Sequence, residues 1–288
     1  MELRREKLKY VVAVVLYGTI GMFLRYIALP SEAVAFCRGS IGAVSILLYL
    51  RIKGRLPDRA AIRANLRWLL ASGFFLGLNW IFLFQAYLRT TVAVASLCNY
   101  MAPIIVVAAA PLLLREKPDG KKLLCILAAM LGIFLVTGVR GGGTASGVVM
   151  GLLGALCFAA IVFCNKKLKD ISGFDRAVVQ LAVSALTILP YLFANNWGQS
   201  LLPDLRSGLL ALMLGVVHTG LAYVFYFSAM GALPVQTVAI LGYLEPVVSV
   251  LCSALFLRES MSPAGWAGAV LIIGAAVASE VMDGKKRK

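Results

Sequence analysis

Charge, histidine and acid are all scarce in this chain. Its 288 residues include one histidine and 13 acids, and charged residues make up 14% of the whole, against about a quarter in soluble domains. So thin a polar complement excludes an ordinary water-soluble domain. A single histidine and the lack of any C-x-x-C pair leave no ligand cluster for a metal. The six cysteines, Cys37, Cys98, Cys125, Cys157, Cys164 and Cys252, therefore read as small apolar packing residues. Gly141, Gly142 and Gly143 do not complete a G-x-G-x-x-G loop, because Ser146 stands where the last glycine belongs. Neither a nucleotide nor any other cofactor is expected.

Hydrophobic residues, by contrast, supply 61% of the chain, and they come in blocks of roughly 20, the length that crosses about 30 Å of hydrocarbon as a helix. Ten such spans are expected, at about 9–29, 33–51, 67–88, 91–114, 121–139, 146–166, 174–194, 207–230, 235–257 and 264–283. The first is longer than the apolar core of a cleaved signal, and no small-x-small site follows it, so it reads as a true span. No residues are left over for a soluble domain.

The net charge of +15 raises nucleic acid as a partner, but the placement of the charge gives a simpler reading. Lys and Arg cluster at 4–9, 51–67, 115–122, 166–176 and 285–288, while the alternate connections hold single arginines, Arg89, Arg140, Arg206 and Arg258. Cytoplasmic loops carry the excess of basic residues. Both termini are therefore expected in the cytoplasm, with the lipid bilayer as partner and no role for nucleic acid. The basic C-terminus doubles as a cytoplasmic anchor.

The chain also repeats itself. A shift of 143 residues lays Phe84, Val92, Tyr100, Pro103, Arg115 and Glu116 on Phe227, Val235, Tyr243, Pro246, Arg258 and Glu259. A shift one residue smaller lays Ala43, Ile46, Tyr49 and Leu50 on Ala185, Ile188, Tyr191 and Leu192. Each copy holds five spans, and an odd number makes the second copy enter the membrane from the opposite side. The expected fold is all-α and integral to the membrane, with ten transmembrane helices as two inverted five-helix repeats. The first repeat is 1–139, the linker 140–145, and the second repeat with its basic tail 146–288. Inverted repeats are a recurrent plan of secondary transporters.

These features resemble the EamA family of the drug/metabolite transporter superfamily. The likeness rests on the five-plus-five duplication, on Leu244-Glu245-Pro246, on the Leu-x-Arg-Glu ending spans four and nine, and on Arg38 within Phe-Cys-Arg-Gly. Tyr17-Gly18 lies where Trp-Gly is common in that family. The resemblance implies a transporter of small-molecule solutes and covers the whole chain. The expected function is a secondary transporter of small polar organic solutes, an exporter of amino acids or related metabolites by alternating access, in a bacterial inner membrane. Other metabolites or cationic drugs are the alternative cargo. An integral membrane enzyme and a non-transporting scaffold are the rivals from other classes; the first lacks an Asp/His/Ser cluster at a membrane border. Oligomeric state is left open.

Glu245 is the sharpest candidate for the site. It lies near mid-membrane, where an acid facing lipid costs at least ~2.5 kcal/mol, so it must face protein or water. Two readings stand: a proton-coupling or substrate-ammonium site, or a hydrogen bond tying two helices. Ser249, Cys252 and Ser253 share its helix face. Pro103 and Pro246 free the carbonyls of Asn99 and Gly242 and should kink their helices, and freed carbonyls at membrane depth line wet cavities or protein. Asn99 is the polar group of the first copy, where Ala102 replaces Glu245. His218 is a candidate relay with Glu245 or a neutral residue satisfied by a neighbour. Asn79, Trp80 and Tyr223 are candidates to line the cavity, with Tyr17 alongside. Arg38 is expected to snorkel or pair with Glu32, with capture of a substrate carboxylate as its second reading. Glu116 and Glu259, at span ends, are expected to be satisfied by solvent or an adjacent arginine.

Overall fold

A computed structural model of the chain describes residues 2–113, 120–138, 144–196, 204–230, 232, 233 and 235–286. The linker residues 140–143, Glu116, Arg115 and the terminal Arg287 and Lys288 lie outside them. Every regular element among the described residues is helical.

Helices α1 (Glu2–Leu24) and α2 (Ser31–Ile52) are followed by a short α3 (Arg59–Ala64) and then α4 (Leu66–Arg89). The next run is α5 (Val92–Asn99) plus α6 (Ala102–Leu113), followed by α7 (Gly120–Gly138), α8 (Ala145–Asn165) and α9 (Gly173–Asn195). A π-helical turn, Val216–Leu221, joins α10 (Leu205–Gly215) to α11 (Ala222–Met230). The chain ends in α12 (Val235–Gly242), α13 (Leu244–Leu255) and α14 (Pro263–Lys286). Polar residues stand at several starts because the first N–H groups of a helix have no partner within it. The Asp58 carboxylate accepts from the Ala60 and Ala61 N–H groups, and the hydroxyls of Thr91, Thr144 and Ser172 accept at the starts of α5, α8 and α9.

Among the described residues, seven helical runs are long and apolar enough to cross a membrane, from Leu3–Leu24 to Leu205–Met230. The other three expected spans fall on α7, on the interrupted pair α12–α13 and on α14. Large apolar side chains such as Leu48, Leu186 and Val270 point outward with more than half their surface open, which suits lipid. Inside, Ile46, Leu50, Phe84, Leu181, Ile188 and Leu214 are sealed in a core shared by α2, α4, α9 and α10.

Prolines shape the two interrupted runs more sharply than a kink. The α5–α6 run stops at Tyr100 and Met101 and restarts at Ala102, just before Pro103. The α12–α13 run breaks at the single residue Tyr243 and restarts so that Pro246 falls in the first turn of α13. A proline in a first turn has no helical N–H bond to lose.

At one end of the bundle the segments before α4 and after α8 are clipped together. The Asn65 side chain donates to the Lys169 carbonyl at 2.7 Å and accepts from the Lys169 N–H at 2.9 Å.

Candidate functional site

The two interrupted runs meet where α5 crosses α13, and there the Ser96 and Ser249 hydroxyls lie 2.5 Å apart. Glu245, in the first turn of α13, opens into a cavity at this crossing. Tyr17 and Gly18 of α1, Tyr87 of α4 and Asn99 and Tyr100 of the first break complete its wall. Its volume of about 20 Å³ has room for water and none for an organic solute. Tyr100 lines the cavity together with Glu245. Gly18 makes the close approach possible: a Cβ there would stand 2.6 Å from the Glu245 carbonyl oxygen. Only glycine lets α1 lie on α13 beside the acid.

Asn99 is held from behind. The Asn79 amide donates to the Asn99 side-chain oxygen at 2.9 Å and to the Gly154 carbonyl at 2.8 Å, tying α4, α5 and α8 together. Asn79 is 3% exposed and backs the cavity without lining it.

Arg38 departs from its expected place. It neither snorkels nor reaches Glu32, whose carboxylate accepts instead from the Asn196 amide at 2.9 Å and the Ser31 hydroxyl at 3.0 Å. Arg38 is 4% exposed. It lies 4.4 Å over the Trp80 ring and 5.5 Å from the Phe84 ring centre, and its Nε donates to the Thr219 hydroxyl at 3.2 Å. A long cationic side chain stays in the interior here because α2 presents it to aromatic faces and a hydroxyl rather than to lipid.

His218 and Thr219 both sit in the π-helical turn, a local distortion common at functional positions. The His218 Nε2 lies 3.0 Å from the Thr19 hydroxyl and its ring packs edge-on against Phe23 at 5.1 Å. His218 does not line the Glu245 cavity, so the relay with Glu245 finds no direct contact. Tyr223 is edge-on to Tyr17 at 5.9 Å and to Phe227 at 5.6 Å. Tyr226 continues this aromatic wall to Tyr10, 5.1 Å away.

The opposite end of the bundle is closed by a carboxylate. Glu259 takes Arg25 at 2.9 Å, the Val92 N–H at 2.8 Å and the Ser253 hydroxyl at 2.5 Å, while Arg25 also donates to the Thr90 carbonyl at 2.7 Å. The partner of Glu259 is thus Arg25, distant in sequence, rather than the adjacent Arg258.

Of the sequence-derived candidates, Glu245, Asn99 and Tyr17 share the cavity, while Arg38, Trp80 and Tyr223 cluster beside it. Sequence reasoning missed Tyr87, Ser96 and Thr219, and it took Tyr100 for shared architecture. Ser249 alone carried a usable signal, as part of the polar stripe below Glu245. No disulfide joins any of the six cysteines, five of which are buried. Among the described residues no three His, Cys, Asp or Glu side chains converge on a metal-sized site.

Membrane-length helices packed around a small polar cavity make this a multi-pass membrane protein. The chain belongs to the EamA-like transporter family, whose profile matches it twice, over residues 8–138 and 145–279. It is 25% identical over 256 residues to the uncharacterized transporter YxxF of Bacillus subtilis, covering 86% of this chain and 81% of that one. It is 28% identical to the protein PecM of Dickeya dadantii, over 70% and 69% of the two chains. A probable amino-acid metabolite efflux pump of Salmonella typhimurium is 29% identical over 62% of this chain and 64% of its own length. A solved crystal structure shares the fold with a TM-score of 0.68 at 19% identity, covering 96% of this chain and 98% of the other.

Proposed function

We propose that the chain is a secondary transporter of small polar organic solutes, exporting amino acids or related metabolites by alternating access of two inverted five-helix repeats. The observation that carries this reading is Glu245, an acid held in a water-sized cavity where the two repeat-related interrupted helices cross. A buried acid at such a crossing is suited to exchange a proton or a substrate ammonium group with water from alternate sides. The twofold match of the family profile, 8–138 and 145–279, supports the duplication. The efflux pump of Salmonella typhimurium favours amino-acid metabolites as cargo.

With ten spans and both termini cytoplasmic, in a bacterial inner membrane, the Arg25–Glu259 cluster closes the outer side. The Tyr10, Tyr226 and Phe227 rings close the inner side. Both closures together describe an occluded state, in keeping with a cavity too small for cargo. Opening either side then requires α1 to separate from α13 or from α11.

The reading is tested in proteoliposomes loaded with a mixture of radiolabelled amino acids. Wild type should exchange at least one of them, with a rate set by the pH gradient. Glu245→Gln should remove the flux or its pH dependence while the protein stays folded in detergent. Unchanged pH-dependent flux in that variant would remove Glu245 from the mechanism. Single cysteines at Arg59 and Lys169 should label only from the cytoplasmic side, and labelling from outside would overturn the topology.

A further inference from the structure

We propose that the transported solute carries a carboxylate that docks on the Arg38 guanidinium, and that Arg176 guides it there from the bundle end holding Phe174. This deepens the transport reading and rests on it.

Arg38 is a buried cation with an unfilled edge. It is 4% exposed, and its one hydrogen bond among the described residues runs from Nε to Thr219. The Trp80 and Phe84 rings cover its faces. The terminal nitrogens have no acceptor among the described residues, and none of the ion pairs there includes Arg38. A desolvated charge is costly unless paired, and the planar fork of arginine fits a carboxylate through two parallel N–H bonds. Stacking on Trp80 holds the guanidinium by its face and leaves that fork free.

A second arginine marks the approach. The Nε of Arg176 is buried and has no partner, and its guanidinium lies 5.2 Å over the Phe227 ring. Tyr223 packs on Phe227 at 5.6 Å and on Tyr17, in the wall of the Glu245 cavity, at 5.9 Å. One aromatic wall therefore runs from Arg176, at the start of α9, to the cavity beside which Arg38 lies.

The acid beside the site narrows the ligand further. Glu245 shares its cavity with Tyr87, whose ring lies 6.1 Å from that of Phe84, and Phe84 in turn covers Arg38. A doubly charged phosphate ester would meet the Glu245 carboxylate unfavourably. A zwitterion, with its carboxylate on Arg38 and its ammonium toward Glu245, satisfies both.

The test is a binding and flux comparison on the purified full-length protein. Each of the common L-amino acids is set against its amide, its decarboxylated amine and inorganic phosphate, by thermal shift and by proteoliposome exchange. The expected result is that at least one amino acid binds about ten- to a hundredfold more tightly than its amide, the span of one charge-assisted pair. Arg38→Gln should erase that preference. Arg38→Lys, which keeps the charge and loses the fork, should bind the acid more weakly while remaining folded. Arg176→Gln should slow exchange more than it weakens equilibrium binding. Amides or amines that match the acids in wild type, or an acid preference surviving Arg38→Gln, would overturn the proposal. Phosphate protecting the protein as well as any amino acid, or no member of the panel binding, would overturn it too. Acid-selective binding without flux would support the Arg38 site and defeat the transport reading. Flux of amines alone would do the reverse.

Discussion

The two breaks, Asn99-Tyr100-Met101-Ala102-Pro103 and Gly242-Tyr243-Leu244-Glu245-Pro246, share a tyrosine and a proline but are anchored differently. In the first, the Asn99 side chain is pinned by Asn79, which also holds the Gly154 carbonyl. In the second, a Cβ added at Gly242 would meet only the Tyr10 hydroxyl, 3.5 Å away. The acid is likewise one-sided, since Ala102 is 2% exposed within an apolar cluster while Glu245 faces the cavity. One backbone device therefore serves two purposes: the first break is braced by an amide, and the second presents an acid to the cavity. The two segments share the Tyr-x-x-Pro spacing, and the side chains around it differ.

Placing an acid in the braced copy tests that division most severely. Ala102→Glu puts a carboxylate into the apolar cluster that holds Met101, Ile104 and Ala129. A loss of about 3–5 kcal/mol is expected, the cost of a buried charge lacking a partner. Thermal unfolding in detergent measures it, and the double variant Ala102→Glu with Glu245→Ala should regain no flux. Recovery of flux would mean that the two copies are chemically interchangeable. A smaller loss, about 1–3 kcal/mol, is expected for Gly18→Val, because the added atoms collide with the α13 backbone beside Glu245. That variant should also slow transport, and normal exchange would show that α1 and α13 need not touch.

Much of the fold was legible because the signals are local. Apolar block lengths fix the helices, and Pro103 and Pro246 mark the breaks to within a turn. Glu245 stood out because an acid in an apolar run is rare and its cost is known. The destination of Arg38 was not legible: snorkelling and burial differ only in what the neighbouring helices offer, and Trp80 and Thr219 come from two of them. The π-helical turn has no marker in Val-Val-His-Thr-Gly-Leu, which reads as ordinary helix. Glu259 and Arg25 lie far apart in sequence, so no spacing rule pairs them. Tyr87 and Ser96 were hidden because a helix buried on most sides lacks the two-faced pattern that exposes a cavity-lining stripe.

Asn99→Gly removes the brace and gives the first break the glycine of the second. It strands the Asn79 amide over one partner instead of two, and hydrogen bonds between membrane helices are worth about 1 kcal/mol. The expected outcome is a stability loss of that order with faster exchange, since the first break loses the amide that ties it to α4. Loss of stability without any change in exchange rate would assign Asn99 to folding alone.

The smallest effect is expected at Gly242, where the comparison is also sharpest. Alanine is a better helix former than glycine by up to about 1 kcal/mol, and an added Cβ here finds open space, with the Tyr10 hydroxyl at ordinary contact distance. If Gly242 were only structural, Gly242→Ala would be neutral or slightly stabilising with unchanged flux. If the α12–α13 break flexes during transport, stiffening it should raise the unfolding temperature slightly while slowing exchange. Such opposed shifts in one variant would separate a moving joint from a passive kink, because a passive kink has no reason to trade stability for rate.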